Sequence, residues 1–241
     1  MSNPEVPKIE IPKLPREKRL SKEIIDAYKK LDTTSISDAL NRFGVNSGLH
    51  GIKPIQTGLR LCGQAFTCMF AVSGGKKETN MDYLDDVEPG DVVVIDNGGK
   101  LDYSCWGDLM SMVAKRNGVA GTVIDGIVRD IPAQLEMGYP MFAKDIFMWT
   151  GKQRYYLEAV QIPVHMSGIR VNPGDIMFGD DTGVLVVPFE LAEETLKAAQ
   201  EINEREEVIV GFIKEGMRLD EARVKTGYYF LQAEKEKEAK K

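Results

Sequence analysis

The sequence predicts a single α/β domain with mixed sheets and flanking helices. Three observations carry this. Between residues 51 and 188, apolar runs of strand length recur, separated by Gly, Pro and Asp turns. In the middle of the chain the order is strand, helix, strand, and later it becomes hairpin-like. Helical patterning flanks this region, before it up to residue 43 and after it over 190–215. No internal repeat is present.

Residues 1–20 are rich in Pro, Lys and Glu and read as an extended arm. Ser21 suits the N-cap of a short helix over 22–30. A second helix spans 34–43, capped by Thr or Ser and ended at Gly44. Strands are expected at 64–72, 91–96, 119–124, 141–143, 159–166, 176–178 and 183–187. Helices fall between them at 104–118 and 132–137. The last helix covers 190–215. The body of the domain is therefore 21–216, and 217–241 is a charged tail whose final residues fray.

At 241 residues the chain can bury a sizeable core. Hydrophobic residues make up 43% and charged residues 28%, the balance of an ordinary water-facing protein. The net charge of −6 argues against nucleic-acid binding through a general positive field. No apolar run is long enough for a membrane span, and the N-terminus lacks an apolar signal core, so a cytoplasmic protein is expected. Cys62, Cys68 and Cys105 match neither a zinc site nor a disulfide framework. His50 and His165 stand alone, which leaves Cys105 without an evident base and argues against a His-rich zinc site.

The residues that carry chemistry are Asp108 and the pair Arg129-Asp130. Asp108 opens a helical stretch in Gly107-Asp108-Leu109-Met110, and 20 residues separate it from Arg129. Carboxylate oxygens suit a hard divalent cation, and the arginine fork suits a carboxylate or enolate oxygen. A helix–strand unit lets its two ends approach, so the three side chains can converge. Each has a structural reading as well. Asp130 sits where a cap for the next helix belongs, Arg129 can pair with Asp125 or Asp130, and Asp108 suits a helix dipole. At a helix start the N–H groups of Leu109 and Met110 are expected to be free donors for a carboxylate. Neither Gly74-Gly75 nor Gly98-Gly99 fits a phosphate-binding loop.

Further segments extend the pattern: Thr33-Thr34-Ser35-Ile36-Ser37-Asp38, Pro89-Gly90-Asp91, Asn172-Pro173-Gly174-Asp175 and Gly179-Asp180-Asp181-Thr182-Gly183. With the Asp108 and Arg129-Asp130 spacing, they resemble the divalent-metal class II pyruvate aldolases over roughly residues 31–216. Type members of that family cleave 4-hydroxy-4-methyl-2-oxoglutarate and 4-carboxy-4-hydroxy-2-oxoadipate. The family also holds regulators of ribonuclease E activity, which share the fold without being aldolases.

The resemblance implies a swivelling β/β/α architecture. It implies a lyase that cleaves a 4-hydroxy-2-oxo acid to pyruvate, with oxaloacetate decarboxylation as a side activity. Asp130 then holds Mg2+ or Mn2+, Arg129 holds the enolate oxygen, and Asp108 positions a water. The amides of Leu109 and Met110 hold the pyruvate carboxylate, and Asn80 contributes to substrate binding. Relatives carry a histidine four positions after Asn80, where this chain has Leu84, and the stretch 151–157 also departs from their pattern. Arg42 matches a basic residue suited to a distal carboxylate. A homotrimer or homohexamer is implied, in which the adjacent subunit lends Glu204, Glu206 or Glu207. The many apolar residues of that last helix independently ask for a packing partner. The rival reading is a non-catalytic module that binds and regulates a ribonuclease.

Overall fold

The structure, a computed structural model, describes residues 11–74 and 83–228. Residues 11–20 lie along the body, with a single 3-10 turn at Arg16–Lys18. Arg19 clasps the Asp91 carboxylate at 2.5 and 3.0 Å, and Gln64 bonds the backbone of Lys18 and Leu20. Helix α1 (Lys22–Tyr28) begins at Ser21, whose side chain accepts from the Ile24 N–H. Helix α2 (Thr33–Arg42) is capped by Asp32, one residue earlier than the expected Thr or Ser. A carboxylate there satisfies the Ser35 N–H and also faces the positive end of the helix.

The expected strand runs recur with shifted ends, and two short strands, at 53–54 and 169–171, lie outside them. The strands are β1 (Lys53–Pro54), β2 (Leu61–Val72), β3 (Val92–Asp96), β4 (Gly121–Val128) and β5 (Met141–Ile146), then β6 (Tyr155–Val160), β7 (Val164–Met166), β8 (Ile169–Val171), β9 (Ile176–Asp180) and β10 (Gly183–Val187). Helices α3 (Asp108–Arg116) and α4 (Ile131–Met137) connect β3 to β4 and β4 to β5. Helices α5 (Ala192–Lys214) and α6 (Leu219–Lys225) close the described chain. The expected strand over 159–166 is two strands, because Gln161 adopts φ 55 between them and turns the chain. The expected helix over 104–118 starts only at Asp108. Residues before it pair with 149–151 instead, through Ser104 N–H to the Trp149 carbonyl at 2.9 Å.

Strand β2 is the spine. Its first residues pair antiparallel with β9, its middle pairs parallel with β3, and its end pairs antiparallel with β6. It therefore belongs to two sheets. The strand order is β1-β5-β4-β3-β2-β9-β10, and β7-β8 form a separate hairpin. The result is a mixed, nearly closed sheet with helices outside it, the β/β/α arrangement expected. β3, β4 and β5 run parallel, so all three C-terminal ends open on one edge. That edge is where ligands gather in α/β folds.

Three apolar clusters hold the layers. One lies beneath α3 and α4 and includes Phe66, Ile95, Trp106 and Ile124. A second joins α1, α2 and α5 to β9 and β10 through Tyr28, Ile36, Phe178 and Ile202. A third, with Val94, Val123, Phe142 and Met177, fills the interior between the strands. Each large side chain so buried contributes about 1.5–3 kcal/mol. Among the described residues no helix is long and apolar enough to cross a membrane.

Candidate active site

The site forms where β4 ends and α3 begins. Arg129 and Asp130 leave β4 directly, and the Arg129 N–H reaches the Trp106 carbonyl at 3.4 Å. Asp130 holds the N-cap position of α4 in the left-handed region, at φ 60 and ψ 40, yet its side chain makes no cap hydrogen bond. Its carboxylate turns back towards α3 instead. Oδ2 lies 3.3 Å from Arg129 Nε and 3.4 Å from the Asp108 N–H. A non-glycine residue held at positive φ costs on the order of 1–3 kcal/mol, and such strain concentrates at functional sites.

Asp108 is the first residue of α3, and its Oδ1 accepts from the Leu109 N–H at 2.7 Å. Of the two amides expected to be free, that of Leu109 is thus occupied by the neighbouring carboxylate. Gly107 allows the whole approach. A Cβ at this position would stand 2.6 Å from Asp130 Oδ2 and 3.4 Å from Arg129 Nε. Beneath it runs a buried chain in which Trp106 Nε1 donates to Ser111 Oγ at 2.7 Å and Ser111 Oγ donates to Gln134 Oε1 at 2.6 Å. This chain ties α3 to α4 and so fixes Asp108 relative to Asp130. Sequence reasoning missed Gly107, Ser111 and Gln134. Only the glycine directly before Asp108 offered a signal.

Asp108, Leu109, Met110, Arg129 and Asp130 therefore come together in one place. Asn80 lies outside the described residues. Glu204, Glu206 and Glu207 are elsewhere in the fold, on α5, which packs on α1, α2 and α6. Glu207 accepts from Asn203 at 3.3 Å. Glu206 faces Asp32 and Asp38; burial first, and then those like charges, raise its pKa. Arg42 pairs with Glu201 at 3.2 Å, joining α2 to α5. Leu84 is buried in the cluster beneath α3, a packing position. Burial pushes the Cys105 thiol up to about 12, which leaves it protonated and a poor nucleophile at neutral pH.

Among the described residues no group of three or more His, Cys, Asp or Glu side chains is arranged to hold a metal ion. The donor available is the half-exposed Asp130 carboxylate, which has Arg129 and the Asp108 amide on one of its oxygens. Such a donor suits an ion that keeps most of its water, as magnesium does.

The family model described as RraA-like, Aldolase/RraA, matches residues 33–186. Protein DlpA of Legionella pneumophila is 39% identical over 80% of this chain, but the match spans only 32% of DlpA. A protein of Halalkalibacterium halodurans named "Putative 4-hydroxy-4-methyl-2-oxoglutarate aldolase" is 32% identical over 74% of this chain and 82% of its own length. Among solved structures, an uncharacterized protein from Pseudomonas syringae superposes with a TM-score of 0.80 at 39% identity, covering 85% of this chain and 98% of that one. Streptomyces coelicolor RraAS2, described as an unusual member of the RNase ES inhibitor RraA family, superposes with a TM-score of 0.75 at 28% identity, covering 83% and 100%.

Proposed function

Because the chain belongs to the RraA-like, Aldolase/RraA family, we propose that it is a divalent-metal-dependent carbon–carbon lyase. It cleaves a 4-hydroxy-2-oxo acid to pyruvate through the enolate, and decarboxylates oxaloacetate as a side reaction. The observation that carries this reading is the meeting of Asp108, Arg129 and Asp130 at the start of α3. The name of the H. halodurans relative supports the substrate class.

In this reading Asp130 would hold Mg2+ or Mn2+, which when bound would supply a Lewis acid for the oxygens of the oxo acid. The chain's own groups do the rest. The first-turn amides of Leu109 and Met110 take the carboxylate of the pyruvyl half. To release the Leu109 N–H, the Asp108 carboxylate swings off it when substrate arrives. Freed, Asp108 orders the water that returns a proton to the enolate carbon. Arg129 lies beside Asp130 and offers its fork to the oxygen on which negative charge develops. No lysine Schiff base is required.

A panel of oxo acids, assayed for pyruvate release, tests the reading. Pyruvate from at least one 4-hydroxy-2-oxo acid is expected. A protein inert towards the whole panel that binds a ribonuclease would favour the regulatory reading, which the likeness to RraAS2 motivates.

A further inference from the structure

The strand edge that carries Arg129 and Asp130 continues sideways into a wall of aromatic rings. The Phe147 N–H bonds the Val128 carbonyl at 3.1 Å, and the Gly151 N–H bonds the Ser104 carbonyl at 2.8 Å. Residues 147–151 thus pass beside Val128 and Ser104, the latter four residues before Asp108. Gly151 makes the close fit possible, since a Cβ there would stand 2.5 Å from the Ser104 carbonyl oxygen. On this frame Trp149 stacks on Tyr103, with centroids 5.6 Å apart and planes at 21°. Phe147 meets Trp149 edge-on at 5.3 Å, and Tyr155 meets Tyr103 edge-on at 6.0 Å. The Arg154 guanidinium covers Tyr103 at 4.4 Å and donates to the Thr150 carbonyl at 3.1 Å.

These rings are held in place, yet they are not buried as core rings are. Trp149 is 54% exposed, and its chain neighbour Met148 is 69% exposed. An indole fixed on one side and open to solvent offers a flat apolar surface at little entropic cost to a ligand. The wall is hydrogen-bonded through the Phe147 N–H to Val128, the residue before Arg129. Of its members, Arg154 and Tyr155 lie in the stretch 151–157, where the sequence departs from the aldolase pattern. The Arg154 guanidinium covers Tyr103, which leaves Trp149 as the ring open to an incoming group.

We propose that this wall is the subsite for the acceptor half of the substrate, and that it selects an aryl group there. The inference rests on the lyase reading. In the cleavage of a 4-aryl-4-hydroxy-2-oxobutanoate, the C4 hydroxyl gives up its proton to water. The C4–O bond becomes the carbonyl of an aryl aldehyde, and the C3–C4 bond breaks. Its electron pair goes to C3, and protonation there yields pyruvate. No oxidant or reductant is consumed.

The test compares 4-hydroxy-2-oxo-4-phenylbutanoate with oxaloacetate, which carries a carboxylate where the aryl substrate carries its acceptor half, in wild type, Trp149→Ala and Trp149→Phe. Trp149→Ala should raise KM for the aryl substrate by about tenfold. It should leave oxaloacetate kcat/KM unchanged, and Trp149→Phe should restore most of the loss. Benzaldehyde titration followed by tryptophan fluorescence reads the subsite without turnover. Saturable quenching in wild type that vanishes in Trp149→Ala supports it, even if no oxo acid yields pyruvate and the lyase reading falls. The proposal is overturned if quenching does not saturate, if Trp149→Ala affects both substrates equally, or if it changes the particle mass in light scattering. The last result would make the wall a contact between copies of the chain.

Discussion

Asp130 is an aspartate in a conformation that favours glycine, at φ 60, and it spends none of its carboxylate on capping the helix it precedes. Structural economy alone would put glycine or asparagine there. Asp130→Ala and Asp130→Gly should both lose metal-dependent pyruvate release. The glycine variant should be more stable than the alanine variant by about 1 kcal/mol, because only glycine relieves the backbone. Parallel melts and assays read both effects; an active variant would remove Asp130 from the chemistry. Arg129→Lys keeps the charge but loses the planar fork, and should cost more than about 1.4 kcal/mol, or tenfold, in kcat/KM. A near-normal value would reduce Arg129 to the partner of Asp130 at 3.3 Å. Gly107→Ala should also depress kcat, since its Cβ would displace the Asp130 carboxylate. The meeting of Asp108, Arg129 and Asp130 was legible in the sequence because one helix–strand unit joins them. Gly107 was not, because its reason is a contact with a residue 23 positions away.

Among the elements, periodicity and turn residues located most strands and helices, but not β1, β8 or α6, the last of which packs on α5 within the expected charged tail. Asp32 rather than Thr caps α2, and the positive φ of Gln161 splits one expected strand in two. Residues 104–107 read as helix, but Ser104 pairs with 149–151 and the helix starts only at Asp108. Tertiary pairing of that kind leaves no trace in propensity. The α2–α5 contact gives a pH test. Burial and the like charges of Asp32 and Asp38 raise the Glu206 pKa above 4.5 in the folded chain. A raised folded pKa means stability that is present at low pH and lost as pH rises through it. Glu206→Gln removes that loss. Its melting temperature should therefore exceed wild type at neutral pH, and the two should converge as pH falls below 4.5. A lower melting temperature at neutral pH would mean that Glu206 has a favourable partner.

At the scale of the whole molecule, the two-sheet architecture with a shared β2 was legible only through family resemblance. Alternation alone distinguishes a mixed sheet from other α/β arrangements poorly, because strands buried on both faces do not alternate. Helix α5 leaves Val208, Val210 and Ile213 exposed by 49%, 45% and 43%, and α6 leaves Val224 exposed by 71%. Apolar surface of this kind suits assembly, and a homotrimer or a dimer of trimers is the expected state. Light scattering across a dilution series should give a multiple of three subunits. A fully active monomer would refute a site shared with a neighbour's Glu204, Glu206 or Glu207.

Pyruvate release from oxaloacetate, followed first with magnesium and then with excess EDTA, puts the lyase reading at risk in a single assay. The expected result is turnover with the metal, its loss in EDTA, its return when magnesium is restored, and none of these in Asp130→Ala. Turnover that persists in EDTA or in the variant would contradict a metal held by Asp130, and no turnover of oxaloacetate or of any 4-hydroxy-2-oxo acid would contradict the lyase itself.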